Sequence, residues 1–130
     1  MRELTVRSER TEQLIDITSQ INDAVQAEGI VSGDCLAYCP HTTAGVLVNE
    51  GHDPSVGRDL NGFLTTLVPD GGRWEHAEGN APAHIKAVLV GTSVWIPIED
   101  GSLALGRWQA VFFAEFDGPR DRHVLLQIRG

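Results

Sequence analysis

The stretch WQAVFFAEF, residues 108–116, is where the fold of this chain is decided. Read at period two, it puts Trp108, Ala110, Phe112, Ala114 and Phe116 on one face and Gln109, Val111, Phe113 and Glu115 on the other. That alternation marks a β-strand, with one carboxylate among large apolar neighbours. After it, Asp117-Gly118-Pro119-Arg120 turns the chain into a final strand, His123 to Ile128. Before it, Val94, Ile96 and Ile98 alternate up to the turn Glu99-Asp100-Gly101. The last third of the chain therefore reads as strands.

The first two thirds mix strands and helices. Short strands are expected at Leu4 to Arg7, Gln13 to Ile17, Asp34 to Cys39 and Ala44 to Val48. Between the second and third, Thr18 to Glu28 carries Ile21, Ala24 and Val25 in a helical stripe, with Gly29 suited to end it. The clearest helix is Asp53 to Val68. Asp53 caps it, Pro54 enters its first turn, Val56, Leu60, Phe63, Leu64 and Leu67 share a face, and Pro69 stops it. A third helix starts at Asn80, with Pro82 in its first turn and Gly91 after its end; Ala81, Ile85, Val88 and Leu89 are its expected apolar face. Several antiparallel strands plus about three helices predict one compact α+β domain with a sandwich-like β core.

Composition narrows the function. At 130 residues and 42% hydrophobic, the chain can bury a core of its own. Ten Lys and Arg against 18 Asp and Glu give a net charge of -8, which argues against nucleic acid or anionic membranes as partners. No apolar run approaches the roughly 18–20 residues of a bilayer span, and the charged N-terminal stretch is unlike a signal peptide. A cytoplasmic location is expected. Cys35 and Cys39, the only cysteines, lie four apart on one predicted strand, where geometry opposes bridging and favours buried thiols.

Polar chemistry concentrates in three places. In WEHAEGNAPAHI, residues 74–85, Asn80 and His84 share one side of a helix N-terminus that suits a phosphate or carboxylate, with His76 preceding. Asn80 as a simple cap and His84 as a hydrogen-bonded core histidine explain the same residues. In PHTTAGVLVNEGHDP, residues 40–54, His41, Thr42 and Thr43 end one strand while Asn49 and Glu50 end the next; a solvated hairpin is the plainer reading. Asp59 lies beside the apolar stripe of its helix, where a carboxylate either reaches inward or is solvated. Glu115 must be paired, hydrated or ligating if buried, and Arg120 is placed to pair with a carboxylate or hold a phosphate. Histidines with carboxylates suit divalent metals and acid–base work, but HExxH, CxxC and His-x-His spacings are absent, as are the common nucleotide and hydrolase motifs.

Four motifs in order, HTTAGVLVNE, HAEGNAPAH, IPIEDGSLALGRWQ and EFDGPRDRHVLLQI, resemble the YjbQ family, UPF0047, from about Thr11 to the C-terminus. The resemblance implies a compact α+β fold assembled as a homotrimer, and a secondary thiamine-phosphate synthase activity. That reaction joins hydroxymethylpyrimidine diphosphate to a thiazole phosphate and releases pyrophosphate. The family's polar motif positions fall on His41, Thr42, Thr43, Asn49, Glu50, Asp59, His76, Asn80, His84, Gln109, Glu115 and Arg120. Where the family usually reads Gly-Thr-Trp-Gln, this chain has Gly106-Arg107-Trp108-Gln109.

The expected catalytic set is His41, Glu50, Asp59, His84 and Glu115, with Thr42, Thr43, Asn49, Asn80, Gln109 and Arg120 binding a small phosphorylated substrate. His41, His76 and His84 are the candidate ligands for a divalent ion (Mg, Mn or Zn), and no organic cofactor is expected. The competing expectations are a non-catalytic trimer that binds a metal or small ligand, and a metal-dependent hydrolase of phosphorylated or cyclic esters.

Overall fold

The structure, a computed structural model, describes all residues from Met1 to Gly130. Two antiparallel sheets and three helices form the α+β domain expected from the pattern. The strands are β1 (Arg2–Arg7), β2 (Gln13–Asp16), β3 (Gly33–Tyr38), β4 (Ala44–Glu50), β5 (Ser93–Glu99), β6 (Ser102–Leu103), β7 (Gln109–Glu115) and β8 (Asp121–Arg129). The helices are α1 (Thr18–Glu28), α2 (Pro54–Leu67) and α3 (Ala81–Val90). One sheet runs β1-β8-β3-β5-β6 and the other β2-β7-β4, with every neighbouring pair antiparallel.

Within residues 108–116, Gln109–Glu115 forms the central strand of the smaller sheet, and β7 is covered on both faces. Val111, Phe113 and Glu115 point into the main core with Val46, Ala37, Val124 and Leu126. Ala114 and Phe116 point the other way, under α3, with Ala83 and Ala87. Ile17, Ile21 and Val25 bring α1 against the main core. The turn at Glu99-Asp100-Gly101 is a two-residue hairpin: Asp100 and Gly101 both have positive φ (53° and 82°), and Glu99 pairs Ser102 to start the short strand β6. Cys35 and Cys39 are buried free thiols. Burial, then the Asp34 charge, pushes the Cys35 thiol up to about 11.

Two expected helix faces are corrected. On α3 the buried residues are Ala81, Pro82, Ala83, Lys86 and Ala87, whereas Val88 and Leu89 are exposed and Ile85 is half-buried. The helix carries two stripes, and the small one packs because alanines let its backbone close on β4 and set Ala83 and Ala87 against Ala114 and Phe116. Lys86 is drawn inward with its ammonium 2.8 Å from Glu12 Oε1. On α2 no residue is fully buried; Leu64 packs against the alanine cluster, but Phe63 is 65% and Leu67 55% exposed. Asp53 caps α2 as expected, accepting the Ser55 N–H at 2.9 Å. No helix is long and apolar enough to cross a membrane.

Gly45 marks the closest approach between α3 and the smaller sheet. A Cβ there would sit 2.4 Å from the Gly91 carbonyl oxygen, which accepts the Val46 N–H at 3.1 Å. We predict that Gly45→Ala costs about 1–3 kcal/mol by overpacking, read as a lower urea midpoint. A midpoint equal to that of the unaltered protein would show that the helix shifts without cost.

Candidate functional site

The strand ends that carry the polar motifs meet around one buried ion pair. Glu115, fully buried at the end of β7, accepts hydrogen bonds from Arg122 Nε at 2.9 Å, from Arg122 Nη2, and from Ser8 Oγ at 2.6 Å. Its second oxygen also takes the N–H groups of Phe116 and Asp117. Burial alone would push this carboxyl up; the bonds from Arg122, Ser8 and Asp117, with the guanidinium charge, more than offset it and hold it below its usual range. Arg122 Nη2 also donates to Thr43 Oγ1 at 2.8 Å. The buried groups are thus satisfied, and Glu115 and Thr43 are structural supports with no open face toward a ligand.

Thr43 fixes the link between β3 and β4, and His41 stands two residues before it. His41 Nε2 accepts the His123 N–H at 2.9 Å. The ladder between β3 and β8 has ended at the Tyr38–Leu125 pair, so the ring takes the place of a missing strand partner. Burial and then the Arg122 charge lower its pKa from the ordinary 6.5. His41 and His84 line one cleft of about 400 Å³, together with Thr42, Thr92, Cys39 and Val88. No carboxylate and no cationic side chain lines it. His76 lies beside His84, ring centroids 5.1 Å apart and nearly perpendicular.

Asn80 is corrected. It occupies the N-cap position of α3, but its side chain caps nothing: Nδ2 donates to Asp117 Oδ2 at 2.9 Å. Arg120 Nη2 donates to the same oxygen at 3.1 Å and its Nε to the Asp117 carbonyl, so Arg120 is tied to its own turn rather than to Glu115. These bonds fasten the start of α3, and hence His84, to the β7–β8 turn.

The remaining expected residues lie apart from the cleft. Glu50 lines a different cavity, about 410 Å³, with Arg10, Asp16, Asp53, Arg58 and Asn61, and its Oε2 accepts the His52 N–H. Asn49 is exposed and accepts the Glu50 N–H. Asp59 is exposed on α2. Gln109 folds its amide oxygen onto the Gly106 N–H at 2.8 Å and closes the 106–109 turn. Within the chain no three His, Cys, Asp or Glu side chains converge as a metal site. With Nε2 of His41 already engaged, the three candidate histidines do not form a metal centre in a single chain.

A family model described as UPF0047 protein YjbQ-like matches residues 2–130. The chain belongs to the YjbQ-like UPF0047 family. A UPF0047 protein of Methanocaldococcus jannaschii is 46% identical, over 96% of this chain and 91% of its own. YugU of Bacillus subtilis, also a UPF0047 protein, is 40% identical over 100% and 99%. Among solved structures, a YjbQ/UPF0047-family protein of Clostridium acetobutylicum superposes with a TM-score of 0.97 at 46% identity, covering 99% of this chain and 100% of that one. A protein of Aeropyrum pernix K1 gives 0.94 at 40%, covering 99% and 97%.

For this YjbQ-like chain, the departure at Arg107 has a local outcome. Its guanidinium lies 4.7 Å from the Trp108 ring centroid, and His52 meets the same indole edge-on at 5.0 Å. Residue 107 therefore dresses an exposed tryptophan on the side of the molecule that holds Glu50 and Asp53, not the histidine cleft. Two residues that organise the site, Arg122 and Ser8, were absent from the expected set. The signal for Arg122 was present: it alternates with Val124 and Leu126, which puts it on the inward face of β8. Ser8, one residue beyond β1, likewise follows the inward-facing Leu4 and Val6 at period two.

Removing one member of the buried pair strands the other. We predict that Arg122→Met lowers stability by about 3–5 kcal/mol in urea unfolding, and that adding Glu115→Leu recovers most of the loss. A single substitution as harmless as the pair would refute the account. The unfolded chain takes a proton at Glu115 near pH 4.5, whereas the folded carboxyl resists it to lower pH. Its contribution is complete above pH 4.5 and is lost as pH falls through the folded value. The Glu115→Gln protein should show a shallower loss of stability below pH 4.5 in acid titration followed by circular dichroism.

Proposed function

We propose that this protein binds a small phosphorylated ligand in the His41–His84 cleft and acts as a thiamine-phosphate synthase-like transferase. One observation carries the reading: the cleft offers imidazoles and hydroxyls and no carboxylate, which suits an acceptor-rich, anionic group. In that reaction the thiazole ring nitrogen bonds to the methylene carbon of the pyrimidine, and the diphosphate leaves with the electron pair of the breaking C–O bond. Donors that meet its oxygens then stabilise the charge as it develops. His84 at the start of α3 and Thr42 and Thr92 at the cleft wall are the groups in place for that task. Because the histidines of one chain do not gather on an ion, a divalent cation belongs to this reading as the counter-ion of the diphosphate.

Homotrimer formation is part of the same proposal, since Val88 at the cleft edge is 81% exposed and Phe63, Leu67 and Leu89 are more than half exposed. A cytoplasmic setting is included too, where the thiols of Cys35 and Cys39 stay reduced. A non-catalytic ligand-binding trimer is favoured instead only by the absence of a carboxylate base in the cleft.

The purified protein with magnesium, manganese or zinc should form thiamine phosphate from the two precursors. His84→Ala should lose on the order of 10²-fold in turnover with unchanged circular dichroism. Binding of the diphosphate without turnover would sink the transferase and leave the binding protein. Light scattering is expected to give three times the chain mass; a monomer would leave the exposed apolar residues unexplained.

A further inference from the structure

We propose that His41 is a fixed, neutral hydrogen-bond donor: Nδ1–H reaches into the cleft for a ligand oxygen, and the ring is neither a metal ligand nor a general base. The proposal deepens the anion reading of this cleft and rests on it. Three observations support it.

The first is the bond to β8. Nε2 accepts a backbone N–H, and a ring nitrogen that accepts cannot carry a proton. The neutral ring therefore keeps its proton on Nδ1, where no lone pair is left for a metal or for a substrate proton. Rotating the ring by half a turn would set a carbon against the His123 N–H and leave that donor orphaned beyond the last β3–β8 rung. Protonating Nε2 would aim one N–H at another.

The second observation is where the other nitrogen lies. Nδ1 makes no hydrogen bond within the protein and is not among the enclosed, unpartnered polar atoms, although the ring as a whole is half-buried in the cleft wall. Its donor is free for a ligand.

The third is the surrounding charge. Arg122 is bonded to Thr43, two residues after His41, and is paired with Glu115, while the His123 ring is stacked against His41 with centroids 6.2 Å apart. The Nδ1 of that second imidazole approaches Glu3 Oε1 at 2.8 Å without the alignment of a hydrogen bond. The cleft thus meets its ligand with an uncharged donor and no carboxylate in its lining, an arrangement that favours phosphate oxygens over cations. The same logic keeps a divalent ion away from this nitrogen.

Long-range proton–nitrogen correlation spectra of the 15N-labelled protein read the two ring nitrogens directly. Ligand-free at pH 8, Nδ1 of His41 should give the signature of a protonated nitrogen and Nε2 that of a bare one. Zinc chloride should move neither signal, and inorganic pyrophosphate should move the Nδ1–H proton downfield. His41→Gln supplies an oxygen within reach of the His123 N–H but no donor in place of Nδ1. It should therefore keep the melting temperature and bind pyrophosphate at least ~10-fold more weakly by calorimetry, the loss of about one hydrogen bond to a charged group. His41→Asn, which restores a donor near the Nδ1 position, should recover part of that affinity at the cost of a lower melting temperature.

A bare Nδ1 in the free protein overturns the proposal, as does a zinc-induced shift of that nitrogen. So does His41→Gln binding pyrophosphate as the unaltered protein does, or an unaltered protein that does not bind it. Failure of the synthase reading is seen separately, as pyrophosphate binding and the expected ring signals without formation of thiamine phosphate.

Discussion

The Glu115–Arg122 pair is the constraint on which the other parts of the molecule depend. It joins β7 of the small sheet to β8 of the large one across the buried space between them. Its remaining hydrogen-bonding capacity is taken by Ser8 after β1 and Thr43 before β4. Three regions distant in sequence, the β7–β8 connection, the residue after β1 and the residue before β4, are therefore held at one point. Apolar packing between the sheets is non-directional and tolerates sliding; a forked guanidinium on a carboxylate does not. The pair sets the alignment of the layers, and His41 inherits its position from that alignment.

The cleft exists because α3 comes close to the sheet. Alanines at 81, 83 and 87 and the glycine at 45 remove the side chains that would hold the helix off. Larger residues at these positions would raise α3 and carry His84 away from His41. The polar residues at the helix start act on placement too: Asn80, read from sequence as a cap, works as a tether to the β7–β8 turn.

Most of the fold was legible from periodicity. The alternation in residues 108–116 located the central strand, and the Pro and Gly positions bounded the helices within a residue or two. Period-two and 3.6-residue patterns report what a segment is locally. They do not report which of two apolar stripes meets the sheet, and α3 has two. The stripe with Val88 and Leu89 is more hydrophobic, but the alanine stripe allows closer approach, and the partner surface made the choice. The site was legible in part for a related reason. His41, His76 and His84 could be named from their motifs and do fall near one another. Glu50, Asn49 and Gln109 come from the same motifs yet stand elsewhere on the surface, because sequence adjacency to a strand end does not say which side of the sheet the end opens on; Asp59 stands on the exposed side of α2. Arg122 was hidden by its neighbours: among charged residues in RDRHVLLQIR, only the inward alternation with Val124 and Leu126 sets it apart.

The single oxygen of Asp117 that receives both Asn80 and Arg120 has a mechanical meaning. A turn and a helix anchored to the same atom cannot drift independently; displacement of one loads the other. The histidine one turn into α3 is therefore coupled to the turn by which the chain crosses from the small sheet to the large one.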